Sequence, residues 1–409
     1  MARKKKKVSS QLIKQKEAEH RKLFRSKLRE FFLACNHGEL YKLIDEPSLT
    51  MLYLLRYHPP QIAIEEGLHL KNKEIQILKR TVHQILRNTY FTIPTTENKM
   101  SLYDYQTVVF DARTIIRPTT VFEFQGVKRM VSEMQPIFDE LFTEEFLDDK
   151  LNRVCNILTI CLSEIDKKYY YVECDMGGKD PNENVYKFTY RVGAVQTPMI
   201  HINFDGLYRP VFQLGWLAGK QFYPLTLTAE ELKLNPTLYP DPIPIFIQSH
   251  ALVRLKERID VFEINYYTTT TLVSFIKPEI LKAGKNSYLI AYKILEYKVG
   301  YFKADLIDGK IIIRTFLFLT NCGTPEELKL RQLTGLSKAD YDFLNLGKLS
   351  TLVNADFHKN DQACQLLEQT GFKSILDYAR NHGKDQDHHT NLSDRFLSYI
   401  QPDNQTYNL

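Results

Sequence analysis

Apolar residues first recur at helical spacing: Phe24, Leu28, Phe31 and Phe32, then Ile75, Leu78, Val82 and Leu86, with Pro59 and Pro60 punctuating between them. This pattern predicts a helical N-terminal region over residues 1–95. From 96 to 240 the pattern is mixed. Segments 107–110, 120–124, 169–174, 185–192 and 199–204 alternate like strands, 127–142 reads as a helix, and Gly177-Gly178 with Pro181-Asn182 marks a hairpin turn.

Pro236, Pro240, Pro242 and Pro244 stiffen the chain into an extended linker and place a domain boundary near residue 240. The module expected over 241–323 begins with a helix capped by Ser249. At 100° per residue, His250, Arg254 and Arg258 fall on a narrow stripe beside the apolar face formed by Leu252, Leu255, Ile259 and Phe262. The helix is expected to continue through 263–277. Strands at 288–294, 299–307 and 311–320 follow, the last two joined at Asp308-Gly309 by a tight turn. Both faces of the last strand are largely apolar and call for cover, which the C-terminal helices of 324–409 can supply. Thr324-Pro325-Glu326-Glu327 and Ser337 start two of those helices. The fold class is therefore α+β: a helical N-terminal region, a mixed middle, a helix followed by an antiparallel meander, and a helical C-terminus.

Composition sharpens this picture at one place. The 409 residues are 44% hydrophobic and 25% charged, a globular balance, with a formal charge of +5. Residues 1–30 carry twelve Lys or Arg against Glu17, Glu19 and Glu30, so the remainder is net negative. Polyanion binding is thus confined to this segment or to local patches. Lys4, Lys5, Lys6, Lys7, Arg21, Lys22 and Arg25 are the candidate nucleic-acid contacts, since Lys and Arg release condensed counterions from phosphates. A solvated, solubilising helix accounts for the same charges.

The six cysteines are scattered, without a Cys-x-x-Cys pair, which suggests neither a zinc site nor a disulfide framework and fits a reducing, cytoplasmic setting. The basic N-terminus lacks the apolar core of a signal peptide, and no apolar run is long enough to span a membrane, so no membrane partner is expected. Phosphate-loop, α/β-hydrolase and zinc-protease motifs are missing. His201-Ile202-Asn203-Phe204-Asp205 and the stretch holding His382, Asp385, Asp387, His388 and His389 could offer metal ligands, but a solvated strand face and a solvated loop account for them better. No metal or cofactor is expected.

The run Ser249-His250-Ala251-Leu252-Val253-Arg254-Leu255-Lys256-Glu257-Arg258, followed by a meander ending in Ile311-Ile312-Ile313-Arg314-Thr315, resembles the core of metal-independent bacterial ribonuclease toxins, the group around the RelE, colicin-type and EndoU-type fold. The likeness covers about 75 residues. It implies RNA cleavage by attack of a ribose 2′-hydroxyl on the adjacent phosphate. His250 would move the proton, Arg254 and Arg258 would hold the phosphorane-like transition state, and Thr315 would donate to phosphate or position the base. RNA, and a protein inhibitor or other partner, are the implied partners. The chain departs from the pattern in its greater length and in having no second His in the sheet. The same residues also fit a structural role, with the arginines paired to Glu257 or Glu263 and His250 packed at the helix start. The alternative function is a non-catalytic nucleic-acid-binding or assembly protein that uses the basic N-terminus.

Overall fold

The computed structural model describes residues 10–116, 124–175, 186–262, 266–383 and 391–400. Helices combined with antiparallel and mixed sheets make it an α+β protein. The chain divides into two compact units, Met1–Thr159 with Tyr170–Ala194, and Ile160–Tyr169 with Val195–Leu409. The four segments expected from the sequence, with breaks after 95, 240 and 323, are not the divisions seen.

In the first unit, Ser10–Ala34 is one helix whose Phe24, Leu28, Phe31 and Phe32 are buried. Phe31 meets the Phe138 ring of helix Val127–Leu141 edge-on at 5.7 Å. Asn72–Asn88 buries Leu78, Val82 and Leu86 of the stripe expected of it, together with Ile85, while Ile75 is only half-buried. Two local expectations need correction. Segment 107–110 is helical: a π-turn at Tyr105–Val109 runs into helix Phe110–Ile116. Ser101 accepts the Asp104 backbone N–H at 3.1 Å, and Tyr105, Val108, Val109 and Ala112 are buried together, a helical rather than an alternating period. Pro59 and Pro60 lie within a strand, His58–Ile64, which runs parallel to Lys187–Gln196. The register breaks between His58 and Gln61, where the two prolines have no N–H to give to the ladder. Residues 120–123, the 177–182 turn and 263–265 lie outside the described residues.

The second unit is built on an eight-stranded sheet. Its hairpin Met199–Phe204/Leu207–Gln213 pairs with Ile243–Ile247, which runs parallel to Lys310–Phe318; Tyr297–Ile307, Ser287–Ile294 and Ile280–Lys282 then follow antiparallel. The expected meander is present, and Asp308 and Gly309 both take positive φ at its last turn. The linker expected near 240 is not a domain boundary, because Phe246 pairs with Gln213 and Ile245 with Ile311, tying both sides of it into one sheet. Pro244 fits a central strand because its own pairing is with Thr226 on a short strand, and the ladder with Lys310–Phe318 starts only at Ile245.

Helix Ser249–Arg258 buries Ala251, Leu252 and Leu255 and packs on the Lys310–Phe318 strand. Ser249 is its first residue rather than its cap. Gln248 holds that position without a side-chain cap, its N–H bonded to the Ile313 carbonyl at 3.0 Å. Instead of running on through 263–277, the described chain forms a separate helix, Tyr267–Val273. Thr324 caps Pro325–Thr334 by accepting the Glu327 N–H, and Ser337 with Asp340 forms a capping box, both as the sequence indicates.

Candidate functional site

The two faces of the Lys310–Phe318 strand decide where the four candidate catalytic residues stand. Asp305 and Lys303 are two apart on the neighbouring strand and share a face. The register shifts between Lys303 and Ala304, which makes Arg314 the extra residue of a bulge; Asp305 accepts from Arg314 at 3.1 Å and Lys303 is opposite Thr315, so Arg314 and Thr315 lie together, half-exposed, on that face. Ile313 and Phe316 face the other way and are buried, with Phe316 against the Tyr292 and Phe302 rings. On this apolar side Thr270 is hydrogen-bonded to the Tyr292 hydroxyl, and Tyr267, from the same short helix, donates to the carbonyl of Ile259 at the end of Ser249–Arg258. The helix therefore covers the apolar face. Thr315 stands on the opposite side of the sheet from His250, Arg254 and Arg258, and the expected grouping of four is not formed.

The helix stripe itself divides. Arg258 is half-buried and donates to the Gly347 carbonyl at 3.0 Å. Two residues on, Asp260 accepts from the backbone N–H of Ser350 at 3.0 Å and from its hydroxyl at 2.7 Å. Together they bolt the end of the helix to the 347–350 segment, which gives Arg258 a structural task. Arg254 pairs with Glu257 at 2.8 Å, both about half exposed, an exposed (i, i+3) pair worth only about 0.2–1 kcal/mol. His250 is exposed and has no side-chain partner among the described residues. What remains open to solvent is one imidazole and one loosely paired guanidinium.

The basic N-terminal helix offers more. At 100° per residue, Lys14, Arg21, Lys22, Arg25 and Arg29 fall within an arc of about 100°, and Glu17, Glu19 and Glu30 fall outside it. A groove of about 470 Å³ along this arc is lined by Lys14, Glu17, Ala18, Arg21, Lys22 and Arg25. Lys14, Lys22 and Arg29 are exposed. Arg21 is half-buried, its guanidinium 5.2 Å from the Tyr53 ring centre, while Arg56 lies 3.8 Å from the same ring. Arg25 differs: it grips Glu46 through two bonds of 3.0 and 2.7 Å, so its charge is largely spent. Lys27 is off the arc. Its bond to Glu30, with Asp104 nearby, holds its ammonium above the ordinary lysine range against the opposing effect of burial. Lys4, Lys5, Lys6 and Lys7 lie outside the described residues.

Of the remaining candidates, the described ones, His201 and His382, are exposed. His201 and Asn203 are exposed on alternate positions of their strand, and Asn203 accepts the Gly206 N–H at the hairpin turn. His382 packs against the Tyr378 and Tyr297 rings; Asp385, Asp387, His388 and His389 are outside the described residues. The cysteines are free, and burial pushes the Cys35 and Cys155 thiols up to about 12, far from the reactive range. No helix among the described residues is long and apolar enough to cross a membrane. Compared with protein-family models, curated proteins and solved structures, the chain has no match.

Proposed function

We propose that the chain binds nucleic acid, RNA in the first instance, through the positive arc of its first helix. The observation that carries this is the run Lys14, Arg21, Lys22 and Arg29 on one arc of the helix, three of them exposed, with the helix's own carboxylates outside the arc and only Glu46, paired with Arg25, reaching into it. Such a stripe is suited to phosphates, where each neutralised contact releases counterions. Lys4 to Lys7 precede the arc in sequence and add charge of the same sign. Removing residues 1–30 is a poor test, because it strips Phe24 and Leu28 from the core. Charge reversal on exposed positions is cleaner. Lys14→Glu with Lys22→Glu is expected to weaken RNA binding on the order of tenfold or more at low salt while leaving the unfolding midpoint nearly unchanged. Equal affinity for the variant and the parent, measured by fluorescence anisotropy on a labelled single strand, refutes the proposal.

A second reading, metal-independent ribonuclease action, rests on the exposed His250 imidazole one helical turn from Arg254. On this reading His250 is the proton-transfer group and Arg254 the phosphate clamp. Metal-free protein incubated with a long RNA in the presence of chelator should then produce cyclic-phosphate ends, and His250→Ala should slow this at least a hundredfold. Intact RNA, or cleavage that survives the substitution, leaves binding without catalysis.

A further inference from the structure

In the first unit, His37, Glu39 and Glu133 each offer one ligand atom to a common space, the three atoms within 4.8 Å of one another. We propose that these residues form a binding site for a divalent cation of the zinc class.

The backbone at His37 is fixed before any cation arrives. Helix Ser10–Ala34 ends with Asn36 at φ +61°, its N–H bonded to the Leu33 carbonyl at 3.0 Å, and the His37 N–H closes on Phe32 at 2.9 Å. The His37 carbonyl then accepts the Leu40 N–H at 3.0 Å, and Leu40 is fully buried. Glu39 therefore sits on a short tight loop between two anchored points. Glu133 comes from helix Val127–Leu141, whose Met130, Met134, Ile137 and Phe138 are buried. The Phe31–Phe138 contact holds that helix against the first one.

The spacing suits the chemistry. Around a tetrahedral zinc ion with bonds of about 2.0–2.1 Å, neighbouring ligand atoms lie about 3.3 Å apart. The His37 Nδ1 is 3.3 Å from Glu133 Oε2 and 3.8 Å from Glu39 Oε1, and Glu39, whose Oε1 lies 3.9 Å from an Arg129 nitrogen, has to turn inward to complete the set. Arg129 Nε binds the other oxygen of Glu133, Oε1, at 2.6 Å, which leaves Oε2 toward His37 and orients the carboxylate in the manner of an outer-shell partner. One imidazole with two carboxylates is a borderline donor set that favours zinc-like cations over calcium or magnesium, which take oxygen ligands alone. The three side chains are 28%, 52% and 29% exposed, so the fourth position is left to water. Bound there, the cation would cross-link the end of the first helix to Val127–Leu141.

The test is isothermal titration of the full-length, chelator-treated chain with Zn²⁺ alone. One equivalent should bind, with at least tenfold weaker affinity in His37→Ala and in the near-isosteric Glu133→Gln, and unchanged affinity in His201→Ala and Cys322→Ser. Zinc should also raise the unfolding midpoint of the parent but not of Glu133→Gln. The proposal is overturned if the parent takes up no zinc at tens of micromolar, if Glu133→Gln binds like the parent, or if Cys322→Ser is the change that abolishes binding.

Discussion

Replacing Glu326 by Ala is expected to cost about 3 kcal/mol, in the range measured when one partner of a buried ion pair is removed. Glu326 is 4% exposed and accepts through one oxygen from Lys298 at 2.6 Å and from the Tyr301 hydroxyl at 2.9 Å. Lys298 also reaches the Tyr301 oxygen at 2.9 Å, closing a triangle between the Tyr297–Ile307 strand and helix Pro325–Thr334. Burial works against the Lys298 ammonium, but the bonds to Glu326 and Tyr301 outweigh it and hold its pKa above the usual lysine value. Burial pushes the Tyr301 phenol up to about 12. Taking away the carboxylate strands the ammonium beside an unionised phenol. The double replacement Glu326→Leu with Lys298→Met, which removes both charges, should cost clearly less than Glu326→Ala. Urea unfolding monitored by circular dichroism measures both. A loss below about 1 kcal/mol for Glu326→Ala shows that the triangle is not an energetic unit.

The buried acid in the first unit is expected to impose a pH dependence of its own. Asp111 is fully buried, accepts the Tyr57 N–H at 2.7 Å through one oxygen and leaves the other unpartnered among the described residues. Burial raises its pKa well above the ordinary carboxylate value, against the smaller opposing effects of the Tyr57 bond and of Arg56. The folded state thus holds the proton more tightly than the unfolded one. Its contribution to stability is complete below the unfolded value of about 4 and is lost as pH rises through the folded value. Asp111→Asn keeps an acceptor for Tyr57 and cannot ionise, so it should be more stable than the parent at pH 8 and show a flatter profile. Asp111→Leu takes this acceptor from the part-buried Tyr57 N–H and should cost about 1–3 kcal/mol. Thermal unfolding across pH 4–9 distinguishes the three proteins, and parallel profiles for parent and Asn variant contradict the assignment.

Local patterns were readable where local forces decide them. The turn at Asp308-Gly309, the cap at Thr324 and the apolar stripe from Phe24 to Phe32 are each set by neighbours within a few residues, and each stands as the sequence indicates. The expectations that failed depend on distant pairing. Prolines at 240–244 resemble a linker because nothing local reveals that Ile245, Phe246 and Ile247 will be inserted between Lys310–Phe318 and Leu207–Gln213. Segment 107–110 reads as a strand from its β-branched residues, although Ser101-x-x-Asp104 and the spacing of Tyr105, Val108, Val109 and Ala112 already carried the helical signal. In the same way, a helical wheel aligns Arg254 with Arg258 but cannot show that Gly347 will take the second one. Nor can it show that a sheet will stand between the helix and Thr315. The His37, Glu39 and Glu133 convergence was hidden for the same reason, since Glu133 arrives on another helix.

The salt dependence of RNA binding reads out the phosphate contacts of the first helix. The affinity of the parent chain for a labelled single-stranded RNA should fall linearly on a log–log plot against salt, with a slope of about −0.7 per phosphate neutralised. Lys14→Glu with Lys22→Glu should weaken binding and flatten that slope by at least one unit. A slope unchanged by the double reversal, or no binding at low salt, contradicts the assignment of the first helix as the nucleic-acid contact.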